Sequence, residues 1–266
     1  MAGFAVQDFV SALKNVQCWA FLATKQIQFE YRRSLAGSLW IVLAFALTAG
    51  GIGSIMAQLQ GIPIVDHVPY VMFGFAAWNF ILGMVQGGCG VFVNAKPYLL
   101  QMPIQRSVFV LSLTLRNLYL LVIHLGTSVV LAAILGWVPT LQALWVVPAI
   151  VVFIFAGIGT ALVLGHLCAR VPDLAQFIGA IMRLAFFFVP IIWIADVPGR
   201  GQIGGFVGIL MRWNPFTHVL STFRDGLLGY GPDLVSWIVL LSCAVGLLVL
   251  GAIILQLMGR RLTYWL

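Results

Sequence analysis

Apolar residues gather into six long runs along the chain, each interrupted by a short polar or basic connection. The windows are Leu39 to Leu59, Tyr70 to Val93, Val108 to Leu135, Leu141 to Cys168, Leu174 to Ile194 and Val235 to Met258. A bilayer core takes about 20 apolar residues per helix, so each window is long enough to cross one. The pattern predicts an all-α polytopic protein with six transmembrane helices forming a single domain. Within it, 1–38 make an amphipathic helix and approach segment, 39–258 the six-span bundle and 259–266 a tail.

Two stretches outside the windows carry their own pattern. Ahead of the first span, Phe9, Leu13, Val16, Ala20, Ala23 and Ile27 recur at helical spacing, with Ser11, Lys14, Gln17, Lys25 and Gln28 on other faces. Such a helix lies in the membrane surface or docks on a partner, and periodicity fits both. Before the last span, 195–234 is too polar to cross and too apolar for a free loop. Its two apolar pieces, IGGFVGILM and FTHVLSTF, flank RWNP. Backbone that leaves a helix at membrane depth needs protein or a water-filled cavity around it. We therefore expect a short re-entrant helix pair broken at Asn214 and Pro215. An ordinary external loop with two surface helices is the alternative.

Composition agrees with the pattern: 62% of the 266 residues are hydrophobic and 8% charged, and the mean hydropathy is +1.08. No soluble catalytic domain is expected beside the spans. The net charge of +7 is spread as small clusters between apolar runs, which is how orientation signals are distributed, so nucleic acid is not an expected partner. Nine Lys and Arg residues fall on one side of the six-span scheme: Lys14, Lys25, Arg32, Arg33, Lys96, Arg106, Arg170, Arg260 and Arg261. Only Arg200, Arg212 and Arg224 fall on the other. Basic connections stay cytoplasmic, so both termini are expected inside. The opening MAGFAVQDFVSALKN lacks the parts of a signal peptide, and insertion is expected through the spans.

Chemistry-bearing residues are sparse. Cys18, Cys89, Cys168 and Cys243 form no CxxC pair and read as small core residues. No HExxH, GxSxG or intramembrane carboxylate pair occurs, and no Gly precedes any of the three lysines as a Walker A loop requires. No catalytic residue, metal site or cofactor is expected on this chain. Arg116 and Arg183 lie inside apolar windows, about nine residues or 14 Å from a span edge. A cation at mid-membrane costs at least about 2.5 to 3.5 kcal/mol, so each needs a cavity or a partner. Either they line a pathway, or they pair with carbonyls, with Asn117 or with an acid of a second subunit. Gly83 and Gly87 form a small-xxx-small face suited to a tight bundle or a dimer seam. Phe187 and Trp193 belong to an aromatic cluster that serves an interfacial belt or stacks on sugars along a pathway.

Read together, these stretches resemble a known family. FEYRRSLAGSLW, VNAKPYLLQMP, ARVPDLAQ, FFFVPIIW and WNPFTHVLSTFRDGLLG are similar, in order, to segments of ABC-exporter permeases for lipid-linked polysaccharides: O-antigen, capsule and teichoic-acid exporters. AKPYLLQMP departs from the family in lacking its frequent Phe-Pro pair, and the first helix is less basic than usual. The resemblance implies a homodimer in the bacterial cytoplasmic membrane, bound to two copies of a separate ATPase that carries ATP and Mg. It implies an ATPase-coupling segment at Asn94, Lys96, Pro97 and Tyr98. It also implies an external gate at Trp213, Asn214, Pro215 and Arg224, and places Arg32 and Arg33 where the substrate pyrophosphate would be met among membrane lipids. An exporter of drugs or small hydrophobic compounds has the same architecture. A membrane-embedded lipid enzyme or a scaffold would lack ATPase coupling.

Overall fold

The computed structural model describes residues 3–31, 37–194, 196–197, 201–202, 208 and 213–266. Arg32, Arg33, Arg200, Arg212 and the first apolar piece of the expected re-entrant pair lie outside the described residues, apart from Gly208. The architecture is helical, with one two-residue strand pairing in which Asp196–Val197 runs antiparallel to Gly201–Gln202.

The N-terminal amphipathic run forms two helices, α1 (Phe4–Lys14) and α2 (Val16–Tyr31), broken at Asn15. This corrects the single stripe expected from spacing. The buried face of α1 is Ala5, Asp8 and Ala12, while Leu13 and Val16 are about half exposed. Asp8 causes the difference. Its carboxylate accepts from the amides of Arg106 and Ser107 at 3.1 and 2.9 Å and from the Ser107 hydroxyl at 2.7 Å. It thereby caps the helix that starts at Arg106, where unpaired amides and the helix dipole favour an anion. On the other flank of α1, the Ala5 amide donates to Gln256 at 2.8 Å. Phe4 sits between the guanidiniums of Arg106 and Arg260, 5.2 and 5.3 Å from its ring centre.

Among the described residues, five helices are long and apolar enough to cross a membrane. The first, α3 (Leu39–Gln60), contains a π-helical turn at Ala46–Gly50 and stops at Gly61. There φ is +65°, a left-handed conformation that glycine adopts without strain. α4 (Ile64–Asn94) begins six residues earlier than the apolar window and carries Pro69 inside it, where the ring leaves the Val65 carbonyl without its helical amide donor. One residue later comes the short α5 (Lys96–Gln101), followed by α6 (Arg106–Ile134). A 3-10 turn (Leu141–Trp145) leads into α7 (Val146–Arg170). The last long helix is α10 (Leu234–Met258), numbered after the two shorter helices described next.

The expected fifth span, Leu174 to Ile194, is a shorter helix, α8 (Asp173–Phe188). Sixteen residues make about 24 Å of helix, less than a bilayer core of about 30 Å. Pro190 sets the stop: a residue before proline is driven out of the helical region, and Val189 is extended at φ −100°, ψ 133°. The second apolar piece of the expected re-entrant pair forms α9 (Pro215–Leu227).

α4 is the centre of the bundle. Apolar all round, it packs against α3, α6, α7, α8 and α9, and 78% of its apolar window is buried. Gly83 and Gly87 face Asn117 and Leu113 of α6, so the small-residue stripe serves packing inside this chain. α7 in turn seats α10. A Cβ on Gly159 would lie 2.5 Å from the Leu247 carbonyl carbon and 2.7 Å from the Leu248 amide nitrogen. Backbone cannot yield as a flexible side chain can. Gly159→Val is therefore expected to cost about 1–3 kcal/mol of overpacking and to lower the detergent-solubilised melting midpoint, whereas Gly246→Ala, with open space around it, leaves the midpoint nearly unchanged.

Candidate functional site

Polar side chains concentrate at the two ends of the bundle. At the end that carries both termini, α2, the last turns of α4, α5 and the first half of α6 enclose an open groove of about 710 Å³. Arg116 projects into it from α6 and pairs with Glu30 of α2, Nη2 to Oε2 at 2.7 Å. This answers the question of its partner: the acid comes from the same chain. Asn117 takes no part, since its amide donates to the Leu113 carbonyl at 2.9 Å and approaches the Met84 sulfur at 3.5 Å.

The level of Arg116 also differs from the sequence expectation. Phe45 of α3 stacks on His124 of α6 with ring centres 4.4 Å apart. Phe45 is about 9 Å into its helix and His124 about 27 Å into its own, so α3 starts beside residue 118 or so of α6. Gly37 and Ser38 share a crevice with Tyr119, consistent with that offset. Arg116 is thus level with the start of the first long helix instead of halfway along it.

The remaining sites at this end are arranged around α5. Asn94 closes α4, Lys96 and Pro97 are exposed, and Tyr98 is half-exposed on the groove rim. Leu100 and Met102 are also more than half exposed, giving α5 an uncovered apolar face. Phe29, Lys25 and Gln26 of α2 complete the opposite wall.

At the distal end, the six residues after α8 are held by side chains from three other helices. The Arg224 guanidinium, from α9, donates to the Pro190 carbonyl at 2.6 Å and lies 3.8 Å from the centre of the Tyr70 ring. Tyr70 donates to the carbonyls of Pro190 and Trp193 at 3.1 and 3.3 Å. His67 Nε2 bonds the Ile192 carbonyl at 3.2 Å. Gln60 accepts from the Ile194 amide at 3.0 Å and reaches the Ile192 carbonyl at 3.5 Å. A turn without helical hydrogen bonds is satisfied group by group in this way.

Of the residues assigned to an external gate, Asn214 and Pro215 start α9: Asn214 accepts from the Phe216 amide at 3.0 Å and Pro215 takes the first helical position. Trp213 is 82% exposed. Arg224 alone of the four enters the distal network. Next to it, burial raises the Asp225 carboxyl above its usual range, with the Arg224 charge opposing. Asp233, ahead of α10, is held below that range by donors from Ser236. The pathway candidates divide too. Phe187 is exposed, Trp193 contributes its carbonyl to Tyr70, and Arg183 is exposed with no ion pair among the described residues.

Glu30, Gln60, His67 and Tyr70 were missed from the sequence. Glu30 had a signal, being one of only seven acids in the chain; the others fall in apolar windows or unremarkable turns. Compared with known proteins, the chain matches no family model and no curated protein. Arg224→Met removes the charged donor to the Pro190 carbonyl while keeping an apolar stem. The Tyr70 hydroxyl still donates to that carbonyl, so we expect only the charge-assisted bond to be lost, about 1.5–3 kcal/mol, seen as a lower melting midpoint, with Arg183→Met as the near-neutral control.

Proposed function

We propose that this chain is the membrane-spanning permease subunit of an ABC-type exporter that moves a lipid-linked polysaccharide out across the bacterial cytoplasmic membrane. It works as a homodimer with two copies of a separate ATPase. The observation that carries the reading is the continuity of α4: one residue joins it to the uncovered α5 at one end, and its first turns hold the distal turn through His67 and Tyr70 at the other. A push delivered to α5 by a soluble partner reaches the far end through one buried rod about 46 Å long.

Chain direction supports a six-span arrangement with both termini cytoplasmic. α7 and α10 both finish at the terminal end, where Trp265 lies 5.7 Å from the Arg170 guanidinium. The chain must return to the distal end between them. α8 and the turn that follows make that journey, ending beside Gln60 and His67. α9, capped by Asn214 and anchored through Arg224, is one half of the re-entrant pair. The exposed apolar residues Val6, Val10, Leu13, Val16 and Phe21 of α1 and α2 suit a membrane surface.

The decisive measurement is co-purification of the tagged chain with an ABC ATPase encoded beside it, together with surface glycan in intact cells. Leu100→Asp with Met102→Asp, both exposed and outside the groove, is expected to release the ATPase and abolish surface glycan while the bundle keeps its melting midpoint. Unchanged surface glycan with these substitutions, or no ATPase bound to the unaltered chain, overturns the reading.

A further inference from the structure

We infer that the groove between α2, α5 and α6 binds a glycosyl phosphate, with Arg116 as the phosphate anchor and Glu30 as a built-in competitor for it. The inference rests on the exporter reading for its biological meaning, although the chemistry stands on the groove itself. A volume of about 710 Å³ lies within the range of about 300–1,000 Å³ usual for small-ligand sites.

Charge comes first. The ionisable groups lining the groove are Lys25, Glu30, Arg116 and the phenol of Tyr98. Lys25, Arg116 and Glu30 sum to a single formal positive charge, and Glu30 is the only carboxylate among them. Arg116 carries a planar fork that matches phosphate or carboxylate oxygens in pairs. It is 24% exposed and Glu30 47% exposed, so the ion pair borders the opening and its acid can be replaced without burying a charge. The Lys25 ammonium rests on Gln28 at 3.0 Å, over the Phe21 ring, a surface arrangement of small energetic weight from which it can swing toward a second phosphate oxygen.

The walls match the sugar. Phe29 and Tyr98 are both exposed aromatic side chains on opposite sides of the groove, and flat rings cover the C–H faces of pyranoses. Gln26 and Asn94 offer amides that both donate and accept, as a sugar hydroxyl requires. Val91 and Leu113 give the floor an apolar surface. A bare hydrophobic compound would leave the Arg116 charge and two amides without new partners, whereas a phosphate with sugar attached uses all three.

The level fits as well. Arg116 stands beside the start of α3, which in a six-span arrangement is the cytoplasmic headgroup level. A phosphate joined to an isoprenoid would lie there with its sugar toward water. The same chemistry also occurs in soluble sugar phosphates, so the test has an arm for each source.

The full chain, in lipid nanodiscs with its ATPase where one co-purifies, is titrated with N-acetylglucosamine 1-phosphate and, separately, with polyprenyl-diphosphate-linked N-acetylglucosamine. Arg116→Gln should weaken binding at least tenfold. Glu30→Gln should tighten it about three- to tenfold, because the phosphate no longer competes with a carboxylate. An ion pair that served only to hold α2 would give no tightening. Binding by the lipid-linked probe alone identifies a lipid source, and equal or tighter binding by the soluble one a free sugar phosphate; either supports the site. No saturable binding of either probe, or affinities that ignore both substitutions in variants with unchanged melting midpoints, overturns it. ATPase co-purification is scored on the same samples: binding without an ATPase sinks the exporter reading and leaves the site, and an ATPase without binding does the reverse.

Discussion

Backbone polar groups that leave a helix inside an apolar bundle must find partners, and the turn after α8 shows how much of this molecule answers to that requirement. Pro190 ends the helix and adds a carbonyl with no helical donor. Arg224, Tyr70, His67 and Gln60 supply donors, and they come from α9, α4 and α3. Each partner is worth about 1 kcal/mol when present and more when its absence strands a buried group. The network therefore fixes where α9 sits and how α8 approaches α4. It also places a guanidinium against an aromatic face in a dry setting, where such contacts are stronger than at a surface.

The terminal end solves a related problem with a different residue. The first amides of α6 have no carbonyls to bond, and Asp8 of α1 meets two of them. Asp8 thus docks α1 with the help of Gln256 and the Phe4 ring, and α2 continues alongside α6, where Glu30 and Arg116 line the groove. Between the two ends runs α4, buried on nearly every side. Its glycines allow α6 and α7 to approach closely, so it is poorly placed to bend and well placed to transmit displacement.

Much of the helical framework was legible from hydropathy. The windows for the first, third and last long helices match the observed boundaries within about two residues, because twenty apolar residues in a row leave few alternatives to a helix in a bundle. The errors fall where a single residue overrules a run. Pro190 shortened the fifth window, whereas Pro69 did not stop α4, which runs through it. Asn15 and Asp8 split and rotated the N-terminal helix, since burying a carboxylate on helix-end amides outweighed the apolar stripe.

The sequence by itself determined that this is a helical protein of bilayer-spanning segments, and that basic residues cluster in particular connections. Those properties depend on composition and on neighbours within a few residues. It also marked Arg116 as a cation that would need a partner, and the family resemblance placed Arg224 at a gate. Which partners they have was decided by tertiary structure alone: Glu30 is 86 residues from Arg116, and Pro190 is 34 from Arg224. Periodicity reports which face of a helix is apolar and carries no information about which carbonyl or carboxylate lies opposite. That depends on how far each helix slides along its neighbour, and the offset of α3 along α6 moved Arg116 from an expected mid-membrane position to the rim of a groove.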